Sequence, residues 1–210
     1  MNTSKIEVEA KFIIPDSATF AALQELRHLD GFELKPSGTK PVVDCYLDTA
    51  GRHLYRAGFA CRLRSVKDKQ IITLKSLAEA AAEIHRRQEI EEEIETRDFQ
   101  AGQPLKWPEN DAKKVVVEIV GSALLQPLFT LYQTRYQYQV LWRRQAVIEF
   151  SLDEVSLRNP AQVDYYELEA ELLEPGSETD LTRFTAALRA VWPLQVETRS
   201  KFERALAETT

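Results

Sequence analysis

Charged and apolar residues alternate with a period of two in segment after segment of this chain. Glu7, Glu9 and Lys11 are separated by Val8 and Ala10, Arg62 and Arg64 by Leu63, and Glu167, Glu169 and Glu171 by Leu168 and Ala170. Glu89, Glu91 and Glu93 follow Arg87, and Glu149 and Asp153 flank Ser151. Side chains alternate faces along a β-strand, so each segment has one charged face and one apolar face. A single strand of this kind is an ordinary surface strand. A series of them, with carboxylates in pairs and arginines in pairs, points to a closed sheet with its charged faces inside. Such an interior suits a hard metal ion and a polyanion.

The chain has 210 residues and no Gly-, Ser- or Pro-rich linker, so residues 1–210 are read as a single domain. Its net charge of -6 argues against general affinity for nucleic acid or an anionic membrane, and any anion must be bound locally. Apolar runs fall short of the ~20 residues that span a bilayer, and no charged segment leads into an apolar one at the N-terminus. The expected location is cytoplasmic. Cys45 and Cys61, without close Cys/His spacing, read as free thiols on the apolar faces of their strands. His28, His53 and His85 are scattered and read as surface or structural residues.

Phe20, Leu23, Leu26 and Leu29 recur at helical spacing after Pro15-Asp16-Ser17, which predicts an amphipathic helix stopped by Gly31. Strands are expected over Val42 to Leu47, Phe59 to Ser65 and Ile71 to Lys75. Leu77 to Ile84 is a short helix or a loop, and the strand from His85 competes with a helix over the glutamates 89 to 95. A loop over Asp98 to Pro108 precedes a helix over Ala112 to Leu128 with a break at Gly121-Ser122. Leu131 to Trp142 and Ala146 to Leu152 form a hairpin, Tyr165 to Leu173 a last strand, and Asp180 to Val191 and Ser200 to Ala207 two helices. About eight strands without βαβ alternation give an α+β fold.

In this order the segments resemble a known family. Glu7-Val8-Glu9-Ala10-Lys11 is similar to the ExExK signature of the CYTH superfamily, the triphosphate tunnel metalloenzymes. Asp44 to Thr49 resembles its second strand, Phe59 to Arg64 its ALRIR segment, Thr73-Leu74-Lys75 its TLK and Arg87-Gln88-Glu89 its RxE. Arg135, Asp153 and the run Glu167 to Glu171 match its later strands, and Ser200 to Arg204 its SKxxR ending. Gln126 to Phe129 and that ending look most like the bacterial inorganic triphosphatase subgroup often joined to a conserved histidine α-helical (CHAD) domain. Whether such a domain follows Thr210 is left open. Gln133 stands where many relatives carry a lysine.

The resemblance implies a closed eight-stranded antiparallel β-barrel, a tunnel with a charged interior and helices packed outside. It implies that Lys11, Arg62, Arg64, Lys75, Arg87, Arg135 and Lys201 grip phosphates. Guanidinium forks and ammonium point charges suit that task. Glu7, Glu9, Glu167, Glu169 and Glu171 are the implied oxygen ligands for Mg2+ or Mn2+. Glu7, Glu9 and Lys11 are catalytic on this reading, with Glu89 and Asp153 supporting the attacking water or the metal shell. The expected reaction is divalent-metal-dependent hydrolysis of inorganic triphosphate to pyrophosphate and phosphate. The alternatives are a class IV adenylate cyclase, a nucleoside or thiamine triphosphatase, and a polyphosphate-binding module without turnover. The ligand in each case is a small-molecule triphosphate or polyphosphate, and the oligomeric state is open. Lys201 is expected on a C-terminal helix that plugs one end of the tunnel.

Overall fold

The computed structural model describes residues 4–67, 69–77, 84–94, 99–157 and 162–209. Along the chain lie β1 (Ser4–Ile14), α1 (Ser17–Gln24), β2 (His28–Leu29), β3 (Phe32–Asp48), α2 (His53–Arg56), β4 (Phe59–Val66), β5 (Lys69–Ser76) and β6 (Ile84–Ile94). They are followed by α3 (Asp111–Val120), β7 (Gln126–Trp142), β8 (Gln145–Ser156), β9 (Tyr165–Leu172), α4 (Glu178–Val191), β10 (Gln195–Val196) and α5 (Lys201–Thr209). The long strands run in the order β1, β6, β5, β4, β3, β7, β8, β9, and β9 pairs back onto β1. The result is a closed eight-stranded antiparallel barrel. β1 makes the seam by pairing with β6 from Ser4 to Ala10 and with β9 from Glu9 to Ile14.

Alternation decides which face goes where. Glu7, Glu9 and Lys11 of β1 and Glu167, Glu169 and Glu171 of β9 turn inward and carry charge. Phe12, Leu168 and Ala170 turn outward, into a core with Phe20, Phe150, Phe184 and Leu188 under α1 and α4. Full burial of each large side chain there contributes roughly 1.5–3 kcal/mol. A second outer core joins Cys61, Ile72, Leu74 and Ile90 to Val116 of α3 and to Trp107, with Cys45 packed against it. Both cysteines are free and lie on the apolar side of the sheet. At one end of the barrel α5 inserts Phe202 between inward-facing rings, 5.3 Å from Tyr46 and 5.7 Å from Phe129 between centroids. Among the described residues no helix is long and apolar enough to cross a membrane.

Several expected boundaries are corrected. The first helix ends at Gln24, and Leu29 belongs to β2, hairpinned to β3 through Asp30-Gly31. Asp30 and Gly31 have φ of 48° and 84°, the left-handed pair of a tight hairpin turn, and that turn chemistry overrides the helical spacing of the leucines. Strand β3 begins at Phe32 rather than Val42, running through Pro36 and Pro41 with a bulge between Pro36 and Gly38. The helix expected over Ala112 to Leu128 stops at Val120, with Gly121 at φ 60°, and Leu128 is already in β7. A 3-10 turn, Pro104–Lys106, interrupts the loop before α3. The glutamates of β6 form a strand rather than a helix as far as Ile94. Residues 78–83 of the segment read as a helix or loop lie outside the described residues.

Candidate active site: a charged tunnel with two opposed walls

The ring order sets β9 and β1 across the barrel from β4 and β3. The two pairs carry opposite charge. β1 and β9 contribute Glu7, Glu9, Lys11, Glu167, Glu169 and Glu171, whereas β3 and β4 contribute Lys40, Arg62 and Arg64 in front of a single carboxylate, Asp44. Between the walls lies a cavity of about 320 Å³, to which β5, β6, β7 and α5 add Lys75, Arg87, Glu89, Arg135 and Lys201.

The basic wall is braced from behind. Asp44 is fully buried and accepts two hydrogen bonds from Arg64, at 2.7 and 2.8 Å, and one from Gln133 at 2.8 Å, with Arg62 at 3.6 Å. Burial works against its ionisation, but Arg64 and Arg62 outweigh burial and hold the carboxyl well below the usual range. The amide at position 133 therefore binds Asp44 rather than facing the cavity as a charge. Arg135 forks onto Asp153 at 2.8 and 2.6 Å and reaches Glu169 at 2.5 Å. Asp153 has no exposed surface. Buried guanidinium nitrogens remain without an acceptor at Nε of Arg62 and of Arg87.

The carboxylate wall is balanced by ammonium groups instead. Lys75 donates to both oxygens of Glu7, at 2.9 and 2.7 Å, and lies 3.4 Å from Glu89. Burial opposes the charge of Lys75, yet Glu7 and then Glu9 push its pKa up to about 12. Lys11 lies 3.0 Å from Glu9 Oε1 and 3.6 Å from Glu169. Its approach to Glu9 forms no hydrogen bond, so this buried oxygen is left without a donor. Lys201, at the start of α5, contacts Asp153 at 3.0 Å, Glu169 at 2.7 Å and Glu167. Burial pushes Glu167 up to about 7 despite Lys201, whereas for Glu169 and Asp153 the surrounding cations outweigh burial and hold the carboxyls down. Asp153, Glu167 and Glu169 are balanced by Lys201, Arg135 and, beside Glu169, Lys11, and burial prevails only at Glu167.

Glu7, Glu9, Lys11, Arg62, Arg64, Lys75, Arg87, Glu89, Arg135, Glu169, Glu171 and Lys201 all line this one cavity. Asp153 and Glu167 do not reach it and sit behind Arg135 and Lys201. Register explains the second case: Glu171 is opposite Glu9, Glu169 opposite Lys11, and Glu167 opposite Ile13, toward the end plugged by α5. Asp153, Glu167 and Glu169 bring oxygens within 4.8 Å of one another, but the Lys201 ammonium contacts all three. On the cavity side Glu7 is held by Lys75 and Glu9 and Glu169 are approached by Lys11, while Glu9 Oε1 has no hydrogen bond.

Sequence reasoning missed Lys40, Asp44, Glu149 and His85 as parts of the site. Lys40 lines the cavity in register with Arg135, and among the described residues no carboxylate lies within ion-pair distance of it. Burial and Arg135 lower its pKa. Glu149 accepts from Gln137 at 2.8 Å. His85 is buried on the tunnel side of β6, with its pKa lowered by burial, Arg87 and Lys11. Asp48, which could have met a ligand, caps α2 by accepting from the backbone of Thr49, Leu54 and Tyr55.

A closed barrel with a charged bore and a helical plug is the architecture of a tunnel protein. Residues 5–206 match the CYTH domain, and the chain belongs to the CYTH family. Its fold is similar to that of a candidate adenylyl cyclase of Hippeastrum with a dominant triphosphatase activity, at 23% identity over 96% of both chains and a TM-score of 0.75. It is also similar to a candidate adenylate cyclase of Bacillus halodurans, at 21% identity over 96% of this chain and 98% of that one, with a TM-score of 0.71. A protein of Pyrococcus horikoshii shares the fold at 16% identity over 95% of this chain and 96% of its own, with a TM-score of 0.52. A search of curated protein sequences finds no match.

Proposed function

We propose that the protein hydrolyses inorganic triphosphate to pyrophosphate and phosphate in the tunnel, with magnesium or manganese. The observation that carries this reading is the opposition of the two walls. A linear polyanion lying between them meets Arg62, Arg64, Lys75, Arg87 and Arg135 with its phosphate oxygens. Glu7, Glu9, Glu169 and Glu171 would hold the metal, which supplies charge screening and lowers the pKa of water. The unpartnered Nε groups of Arg62 and Arg87 are donors set for an anion.

Water attacks a terminal phosphorus, the bridging P–O bond breaks, and pyrophosphate leaves against the guanidinium groups. Glu89 reaches the cavity and is the carboxylate that accepts the proton, while Asp153 holds Arg135 and Lys201 in place. Lys11 keeps Glu9 and Glu169 together across the seam. One observation favours an inorganic over an organic triphosphate, and a second favours hydrolysis over cyclisation. Tyr46 is the one aromatic residue in the described cavity lining, and it packs on Phe129 and Phe202 rather than offering a free face. The Hippeastrum relative has a dominant triphosphatase activity. This reading treats residues 1–210 as one cytoplasmic domain of the inorganic triphosphatase subgroup, acting on a small molecule.

The test is phosphate release from inorganic triphosphate, ATP, thiamine triphosphate and long-chain polyphosphate, each with magnesium, with manganese and with chelator. Metal-dependent release from inorganic triphosphate far above the others is expected. No release from any of them, with triphosphate still raising the melting temperature, would replace the hydrolase by a polyphosphate-binding module.

A further inference from the structure

The arginines of the tunnel are not all held alike. Arg62, Arg64 and Arg135 each face a carboxylate. Arg87 has, among the described residues, no carboxylate within ion-pair distance. Its terminal nitrogen instead lies 2.7 Å from Nδ1 of His85, two residues earlier on the same inward face of β6. A guanidinium can only donate, so Nδ1 must be the bare, accepting nitrogen. The other ring nitrogen, Nε2, lies 3.1 Å from the carbonyl oxygen of Glu197, which can only accept, so Nε2 carries the hydrogen. A single neutral tautomer satisfies both contacts, and at 1% exposure the ring has no water to substitute for either.

We infer that His85 is a positioning residue for Arg87, fixing the guanidinium toward the substrate phosphate without neutralising it. A carboxylate in the same place would orient Arg87 equally well but would cancel its charge. An imidazole locked as an acceptor leaves that charge for the ligand, and Nε of Arg87 is buried without a partner. The second contact extends the device. Glu197 donates its backbone N–H to the carbonyl of Lys11 at 3.0 Å and begins the short run into α5, where Lys201 stands. His85 therefore ties a β6 cation to the segment that plugs the barrel. The inference rests on the proposed reading that Arg87 grips a phosphate.

The experiment is steady-state hydrolysis of inorganic triphosphate with magnesium by the full chain and by His85→Ala, His85→Asn, Arg87→Ala and the His85→Ala/Arg87→Ala double variant. His85→Ala should raise KM about 10-fold and change kcat less than about 2-fold, the size of a lost hydrogen bond to a charged group. His85→Asn, whose Oδ1 stands near the place of Nδ1, should recover most of the loss. Adding His85→Ala to Arg87→Ala should cost nothing further, because the histidine acts through the arginine. Additive losses, or an asparagine variant no better than alanine, would overturn the inference. An unchanged KM in Arg87→Ala would instead sink the phosphate-gripping reading. Nitrogen-15 NMR of the wild-type imidazoles decides the positioning claim without activity: His85 should be the neutral Nε2–H tautomer, and an Nδ1–H form or an imidazolium contradicts it.

Discussion

The wall of β9 and β1 and the wall of β4 and β3 face each other across one cavity and keep their charges in different ways. The basic wall is neutralised from behind: Asp44, with no exposed surface, braces Arg62 and Arg64 and takes a third bond from Gln133. The carboxylate wall is neutralised from within the bore, by the ammonium groups of Lys75, Lys11 and Lys201 and by Arg135 on Glu169. An anion landing on the basic wall therefore displaces none of the bracing. A cation landing on the carboxylate wall competes with lysines already there. Guanidinium forks hold one geometry, whereas an ammonium on a flexible stem can turn aside or turn toward a phosphate. The difference explains how a bore this highly charged remains folded with one wall open to an anion and the other guarded by its own cations.

The comparison can be broken most severely at the carboxylate wall. Glu7→Gln should lower triphosphate hydrolysis by about 10⁴-fold, some 5.5 kcal/mol of transition-state stabilisation, while triphosphate still raises the melting temperature. Equal loss of binding and turnover would show that the walls do not divide the work. Behind the basic wall, Asp44→Asn leaves Arg62 and Arg64 without their buried counter-charge and should cost about 3–5 kcal/mol in urea unfolding. Triphosphate without metal should then stabilise the variant more than the wild type, because the anion takes over the missing charge. Arg135→Gln should weaken triphosphate binding by about 10–100-fold in titration calorimetry, the worth of charge-assisted hydrogen bonds.

A pH series sharpens the picture at the plugged end. Glu167 is pushed from 4.5 to about 7, so the folded state holds a proton that the unfolded chain has released, and stability falls as pH rises through that window. Urea unfolding in chelator should show this loss, at most about 3 kcal/mol, and Glu167→Gln should abolish it. For Glu169 and Asp153, whose carboxyls are held down, the sign reverses, and their contribution is lost as pH falls below the ordinary carboxylate range. The smallest effect is expected at Lys40, where Lys40→Gln should raise KM for triphosphate about 3–10-fold, as a partly solvated charge allows, and leave kcat unchanged.

The closed, charged sheet was legible because alternation recurs: Glu7, Glu9, Arg62, Arg64 and Glu169 each mark the charged face of a strand, and their recurrence turns that face inward. What alternation cannot show is which charge meets which, since pairing across the bore depends on strand order. Asp153 and Glu167 carry the same carboxyl group as the cavity-lining glutamates, yet register and the reach of Lys201 leave them buried behind the cavity. Lys40 lay outside the expected strand, which began at Val42, whereas β3 continues back through Pro41 and Pro36 to Phe32. His85 lacked any local sign, because its role depends on Glu197, 112 residues away. The leucines after Phe20 misled because helical spacing outweighed an Asp-Gly pair that sets a hairpin.

The seam between β1 and β9 has a consequence for how the protein comes into being. A ribosome makes Glu7 and Glu9 almost at once but Glu169 and Glu171 only after most of the chain has emerged. Until then the first strand has no partner on one side, and its carboxylates belong to an unfinished wall. Contacts between such distant segments form late and slowly. The carboxylate wall is therefore complete only once β9 closes on β1, and a chain that stops short of β9 cannot present it. Manufacture itself delays the chemistry until the ring is shut.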